Sequence, residues 1–106
     1  MPHKPLFVSG QVVNAGDNVI ITPNAGKRIR VYYASYNLLD TTATEIYFKF
    51  ASGNAFLRNK ITQYSVIAKE FGTVRPMIGI INDTFIINLD QGTHVNWNVS
   101  YEEMVD

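Results

Sequence analysis

The stretch Pro23-Asn24-Ala25-Gly26-Lys27-Arg28-Ile29-Arg30-Val31-Tyr32-Tyr33-Ala34-Ser35-Tyr36-Asn37 most strongly constrains what this chain can fold into. A turn signal, built from Pro, Asn and Gly, runs directly into a long alternating segment. Successive residues of a strand point to opposite faces. Ile29, Val31, Tyr33 and Ser35 are therefore expected on one side, and Arg28, Arg30, Tyr32, Ala34 and Tyr36 on the other. The first face should enter a core and the second should stay wet.

The rest of the chain repeats this pattern in shorter pieces. Extended segments are expected over Leu6–Val13, interrupted by Gly10, and over Val19–Thr22, Glu45–Phe50, Ala55–Leu57, Ile61–Lys69, Ile78–Ile81 and Thr84–Leu89. A last one begins near Val95. Ile46, Phe48 and Phe50 share one face of their segment, as do Phe85, Ile87 and Leu89 of theirs. In the last segment Val95, Trp97, Val99 and Tyr101 oppose His94, Asn96, Asn98, Ser100 and Glu102. Turn residues separate these runs, at Asn14-Ala15-Gly16-Asp17-Asn18, Ser52-Gly53-Asn54, Asn82-Asp83 and Asp90-Gln91-Gly92. Residues Phe71 to Met77 read as irregular, punctuated by Gly72 and Pro76. About eight short strands spaced roughly 8–12 residues apart, with no competing helical period, indicate an all-β antiparallel sandwich. A jelly roll is expected, with an immunoglobulin-like Greek key as the second choice.

A chain of 106 residues is long enough for one core and short for two. The expected division is an extended arm over residues 1–5, stiffened by Pro2 and Pro5, and a single domain over 6–106. The longest apolar run, Met77-Ile78-Gly79-Ile80-Ile81, is far short of a membrane span, so no membrane partner is expected. No signal-peptide pattern opens the chain. Cysteine is absent, which excludes disulfides and thiolate chemistry and fits assembly in a reducing compartment. Net charge is zero, which argues against a nucleic-acid partner. The charge is unevenly spread. Residues 1–75 hold nine basic and four acidic side chains, whereas 76–106 hold five acidic and no basic ones. Either strands from the two segments interleave, or the molecule carries surfaces of opposite sign.

Catalytic signatures are weak. Glu102 and Glu103 are adjacent carboxylates, but consecutive strand residues diverge and cannot share a substrate. His3 and His94 are the only histidines, with Asp90 the carboxylate nearest His94 in sequence; no metal site or cofactor is expected from them. No nucleophile elbow, phosphate loop or dinucleotide fingerprint occurs, so the chain does not read as an enzyme. Binding is better represented. Tyr32, Tyr36 and Tyr47 fall on faces expected to be polar, where exposed rings can stack on sugars or fill a subunit interface. Trp97 alternates with Val95 and Val99 and belongs to the core. Arg28, Arg30, Arg58 and Lys60 would form a basic patch if their strands are neighbours.

The motif Thr22-Pro23-Asn24-Ala25-Gly26-Lys27-Arg28-Ile29-Arg30-Val31, the strand Phe48-Lys49-Phe50 and the closing Asn96-Trp97-Asn98-Val99-Ser100-Tyr101-Glu102 resemble small all-β structural proteins of tailed bacteriophages. The likeness runs from about Ser9 onward and is closest to capsid decoration, or cement, proteins. It implies a virion part without catalytic residues, seated on the capsid surface after assembly in the bacterial host cytoplasm. It also implies a homo-oligomer, with a trimer expected, and the phage major capsid protein as partner. Partner contacts are expected at Pro2, His3, Lys4 and Pro5 of the arm and at Arg28, Arg30, Tyr32 and Tyr36 of the long strand. The alternative is a carbohydrate-binding or adaptor module of a phage tail or fibre.

Overall fold

The computed structural model describes residues 5–39, 42–61, 66–71 and 77–105. Among these, the chain runs β1 (Leu6–Val12), β2 (Gly16–Ile21), β3 (Arg28–Leu38), β4 (Thr44–Phe50), β5 (Phe56–Ile61), β6 (Val66–Glu70), β7 (Met77–Ile78), β8 (Phe85–Leu89) and β9 (Val95–Met104). The protein is an all-β sandwich of two antiparallel sheets. The first sheet has the order β1-β9-β3-β6, with β7 also against β3, and the second has the order β2-β8-β4-β5. Among the described pairings, only β4 and β5 are consecutive in the chain. Every other neighbour is reached by crossing between sheets or by a long return.

The two late strands lie inside their sheets: β9 between β1 and β3, and β8 between β2 and β4. The acidic C-terminal third is thus interleaved with the basic remainder, as in the Arg30–Glu102 ion pair across β3 and β9. The expected strand over Ile61–Lys69 is instead the end of β5 and the start of β6, with residues 62–65 outside the described part. Also outside it are residues 1–4 of the expected arm, residues 40–41, residues 72–76 of the stretch expected to be irregular, and Asp106.

Between the sheets lies a core rich in aromatic rings. Phe48 stacks on Phe85 with centroids 5.3 Å apart, Phe50 meets Phe85 at 5.0 Å, and Tyr36 meets Phe48 at 5.6 Å. Such offset and tilted pairs add to the burial of their area. Ile46, Phe48 and Phe50 point inward as expected, as do Phe85, Ile87 and Leu89, and Val95, Trp97 and Val99. Two glycines admit bulky rings into this layer. A β-carbon at Gly10 would fall 2.8 Å from Trp97 Cζ2, and one at Gly79 would fall 2.5 Å from Phe50 Cδ1.

The long strand departs from the expected alternation. Ile29 and Val31 are fully buried, but so are Ala34, Tyr36 and Leu38, while Tyr33 is half-exposed. The cause is a bulge. Against β9, Val31 pairs with Tyr101 and Tyr33 with Ser100, which leaves Tyr32 as one extra residue in β3. An extra residue in a strand of period two moves every later side chain to the other face. The Tyr32 carbonyl accepts a hydrogen bond from the Phe71 N–H at 2.7 Å, so the bulged backbone remains paired on the β6 side.

Candidate functional site

The turn that precedes β3 is a type II turn. Lys27 N–H donates to Asn24 O at 3.1 Å, and Gly26 takes φ of +80°, a conformation that a residue without Cβ adopts at little cost. Two distant side chains hold it in place. Glu103 accepts from Asn24 N at 2.6 Å and from Asn24 Nδ2 at 2.8 Å, and Asn82 Oδ1 accepts from Gly26 N at 2.7 Å. Glu102 points the other way, accepting a very short hydrogen bond from the Tyr32 hydroxyl and lying 3.7 Å from Arg30 Nη1. The adjacent carboxylates therefore serve two structural tasks on opposite faces, in line with the divergence expected of them. Burial raises the Tyr32 phenol above its ordinary range, helped by the hydrogen bond to Glu102, while Arg30 opposes the shift.

The expected partner residues are separated by the structure. Arg28 and Arg30 lie on the outer side of the first sheet near one end, and Pro5 leads into that same end, since Leu6 is in register with Tyr101 and Arg30 with Glu102. Tyr32, expected on the wet face, is buried at 6% exposure, its hydroxyl engaged by Glu102. Tyr36 is a correction: the bulge turns it into the core, where it is fully buried and its hydroxyl donates to Leu57 O at 2.7 Å. Leu57 itself has φ of +55°, at an irregularity between β4 and β5, and the Tyr36 hydroxyl pins that backbone. A completely buried ring offers no surface to a partner. Pro2, His3 and Lys4 lie outside the described residues.

The expected basic patch is also corrected. Arg28 and Arg30 belong to the first sheet, and Arg58 and Lys60 to β5 at the edge of the second, so the four do not share a face. Arg58 instead pairs with Glu45 at 2.8 Å and lies over Tyr47, 4.4 Å from its centroid. On the same sheet Asp17 receives Asn88 Nδ2 at 2.7 Å and lies 3.7 Å from Lys49 Nζ. The outer side of the second sheet is thus a charged surface whose groups engage one another. Asp90, four residues from His94, accepts from Glu45 N at 2.7 Å and Thr44 Oγ1 at 2.9 Å. The backbone hydrogen bond from Glu45 is the main reason its carboxyl is held below the usual range. Among the described residues no group of three His, Cys, Asp or Glu converges for a metal.

The outer side of the first sheet has a different character. Registration of β1, β9 and β3 places three rows side by side: Phe7, Ser100 and Tyr33; Ser9, Asn98 and Ser35; Gln11, Asn96 and Asn37. None of the nine is charged. A shallow groove of about 320 Å³ runs along the β1–β9 seam, lined by Ser9, Gly10, Gln11, Asn96, Trp97 and Asn98. Asn98 Nδ2 donates to Ser35 Oγ at 3.4 Å, whereas Ser9, Gln11, Asn37 and Asn96 use their side-chain donors and acceptors on no described residue. At one end Phe7, 68% exposed, and Tyr33 form an aromatic pair with centroids 6.1 Å apart, arching over the small Ser100. The sequence places Asn96 and Asn98 on the polar face, but its binding candidates are the tyrosines, the basic side chains and the arm. The signal that was present is the charge-free run of Ser, Gln and Asn at every second position.

No protein-family model matches the chain, and no curated protein matches it.

Proposed function

We propose that the chain is a virion structural protein of the capsid decoration type, which associates with copies of itself, as a trimer, and binds the assembled coat lattice of a tailed bacteriophage. The observation that carries this reading is the strand order. With the two-residue β7 set aside, the chain crosses between sheets so that β9 returns between β1 and β3, and β8 between β2 and β4. That wiring supports a jelly roll, an architecture found in viral capsid and lectin domains. Fold alone does not assign function. The resemblance of the Thr22–Val31 and Asn96–Glu102 motifs to phage structural proteins supplies the direction. The carboxylates of Glu102, Glu103 and Asp90 hold turns and strands.

In this reading the coat contact lies at the end of the first sheet that holds Pro5 and Arg30 on either side of β9. The mechanism is mass action: a protein that binds only the assembled lattice stabilises it against disassembly. The test is co-sedimentation with mature capsids. Deleting Met1–Pro5 should weaken binding with an unchanged thermal melt. Arg30→Glu should weaken it further, with Arg30→Ala as the control for the like charge placed against Glu102. Full binding by both the truncated protein and Arg30→Glu would overturn the assignment of this end.

A further inference from the structure

We infer that the outer side of the first sheet is a binding site for a neutral oligosaccharide, centred on Asn96 and Asn98 with the Phe7–Tyr33 pair as its apolar shelf. The coat-binding end adjoins this face one row beyond Phe7, whereas Gln11, Asn96 and Asn37 lie at its far side, so the two surfaces are separated by testing the far rows.

Three features point to this ligand class. The first is the unspent hydrogen-bonding capacity of the groove. Each carboxamide supplies donors and acceptors together, as each sugar hydroxyl does, so Asn96, Gln11 and Asn37 can meet vicinal hydroxyls in either sense. These three side chains, with Ser9, engage no described residue. On the second sheet the corresponding polar groups are consumed by one another, as in Asn88 with Asp17 and Arg58 with Glu45.

The second feature is the absence of charge at all nine positions, the next residue in register being Glu70 of β6 beside Tyr33, an acid. An anionic ligand laid there would lose hydration without gaining a countercharge. A phosphate, a sulfated glycan or a nucleic acid is therefore disfavoured, and a neutral polyhydroxyl chain is not.

The third is the arrangement of the shelf. Phe7 is 68% exposed although the other phenylalanines that make ring contacts are packed against the core. It is held beside Tyr33 at 6.1 Å, so the pair presents apolar area next to the amides. A pyranose is built the same way, with C–H groups on its faces and hydroxyls around its rim. Strand spacing of about 4.8 Å and a two-residue rise of roughly 6.8 Å make the three rows a flat plate that a short linear oligosaccharide can span.

The test uses the full-length protein and a panel of unbranched neutral hexose and N-acetylhexosamine oligosaccharides, read by saturation-transfer NMR and titration. At least one panel member should bind. Asn96→Ala combined with Asn98→Ala should weaken it by roughly tenfold or more. Phe7→Ala, at an exposed position that the fold does not need, should weaken the same sugar with an unchanged melting temperature. Capsid co-sedimentation should be unaffected by Asn96→Ala combined with Asn98→Ala, whose rows lie farther along β9 from Glu102 than the Phe7 row does, which separates this site from the coat contact. The inference is overturned if no panel member gives a signal, if the variants bind within about twofold of the parent, or if sialylated or sulfated glycans bind in preference. It is equally overturned if the face proves to be covered by a second copy, seen as a concentration-dependent mass that Phe7→Ala abolishes.

Discussion

At the scale of single residues, the fold depends on positions where a ring needs the space of a missing side chain. Trp97 lies over Gly10 and Phe50 over Gly79, and neither ring can withdraw from a packed core. Gly10→Val and Gly79→Ala are each expected to cost about 1–3 kcal/mol, the usual range for overpacking, seen as a lower denaturation midpoint at unchanged slope. Tyr36 is the second case. Replacing it with Phe leaves the Leu57 carbonyl without its donor and should cost about 1–3 kcal/mol. The hydroxyl also sets a pH dependence. Burial raises the folded pKa of Tyr36, with the Asn59 hydrogen bond acting the other way. A raised folded pKa means stability fully present below the unfolded phenol value of about 10 and lost as pH rises through the folded value. The gap between the parent and Tyr36→Phe should therefore narrow above that pH in urea titrations. Asp90 has the opposite sign: its folded pKa is lowered, so its contribution is present above about pH 4 and lost as pH falls through the folded value. Asp90→Asn, which keeps an acceptor for Glu45 N, should lose less stability on acidification than the parent.

At the scale of elements, the informative strand is β3. Its turn, its length and the burial of Ile29 and Val31 were legible from a turn signal followed by alternation. Its second half was not, because one bulged residue, Tyr32, exchanges the faces beyond it. Nothing in Val31-Tyr32-Tyr33-Ala34 distinguishes a regular strand from a bulged one: aromatic and small residues suit either face. Tyr36 was consequently placed on the wet face and Tyr33 in the core, and both are reversed. Segments without a bulge, such as the β8 run of Phe85, Ile87 and Leu89 and the Val95–Val99 part of β9, were read correctly from period two alone. The candidate site was only half legible for a related reason. Asn96 and Asn98 were visibly on a polar face, but pairing them with Ser9, Gln11, Ser35 and Asn37 requires strand order, which is a long-range property. Val31→Asp tests the part of β3 that reading and structure agree on. An isolated carboxylate at a fully buried site should abolish cooperative folding or cost more than about 3 kcal/mol, read by near-ultraviolet circular dichroism and urea melts.

For the whole molecule, the two sheets divide the surface into unlike halves. The second sheet carries ion pairs that satisfy themselves, such as Arg58–Glu45 and Lys49–Asp17. The first carries an uncharged plate between β1 and β3, with Arg30, Tyr32 and Glu102 beyond one end of it. This division also resolves the charge asymmetry of the sequence. The strands of the acidic last third, uncharged β8 flanked by Asp83 and Asp90 and β9 carrying Glu102 and Glu103, are inserted centrally, so the halves of opposite sign mix instead of forming two poles. The proposed role asks for a molecule fixed to a lattice at one end with a neutral face left for a second ligand, and this division is compatible with it. The most direct measurement is the ratio of this chain to coat protein in purified particles, determined by quantitative mass spectrometry and by imaging of the labelled chain. For a decoration protein the ratio should be fixed by the shell lattice, with label distributed over the shell. Absence from the particles, or a few copies confined to the tail, would contradict that role.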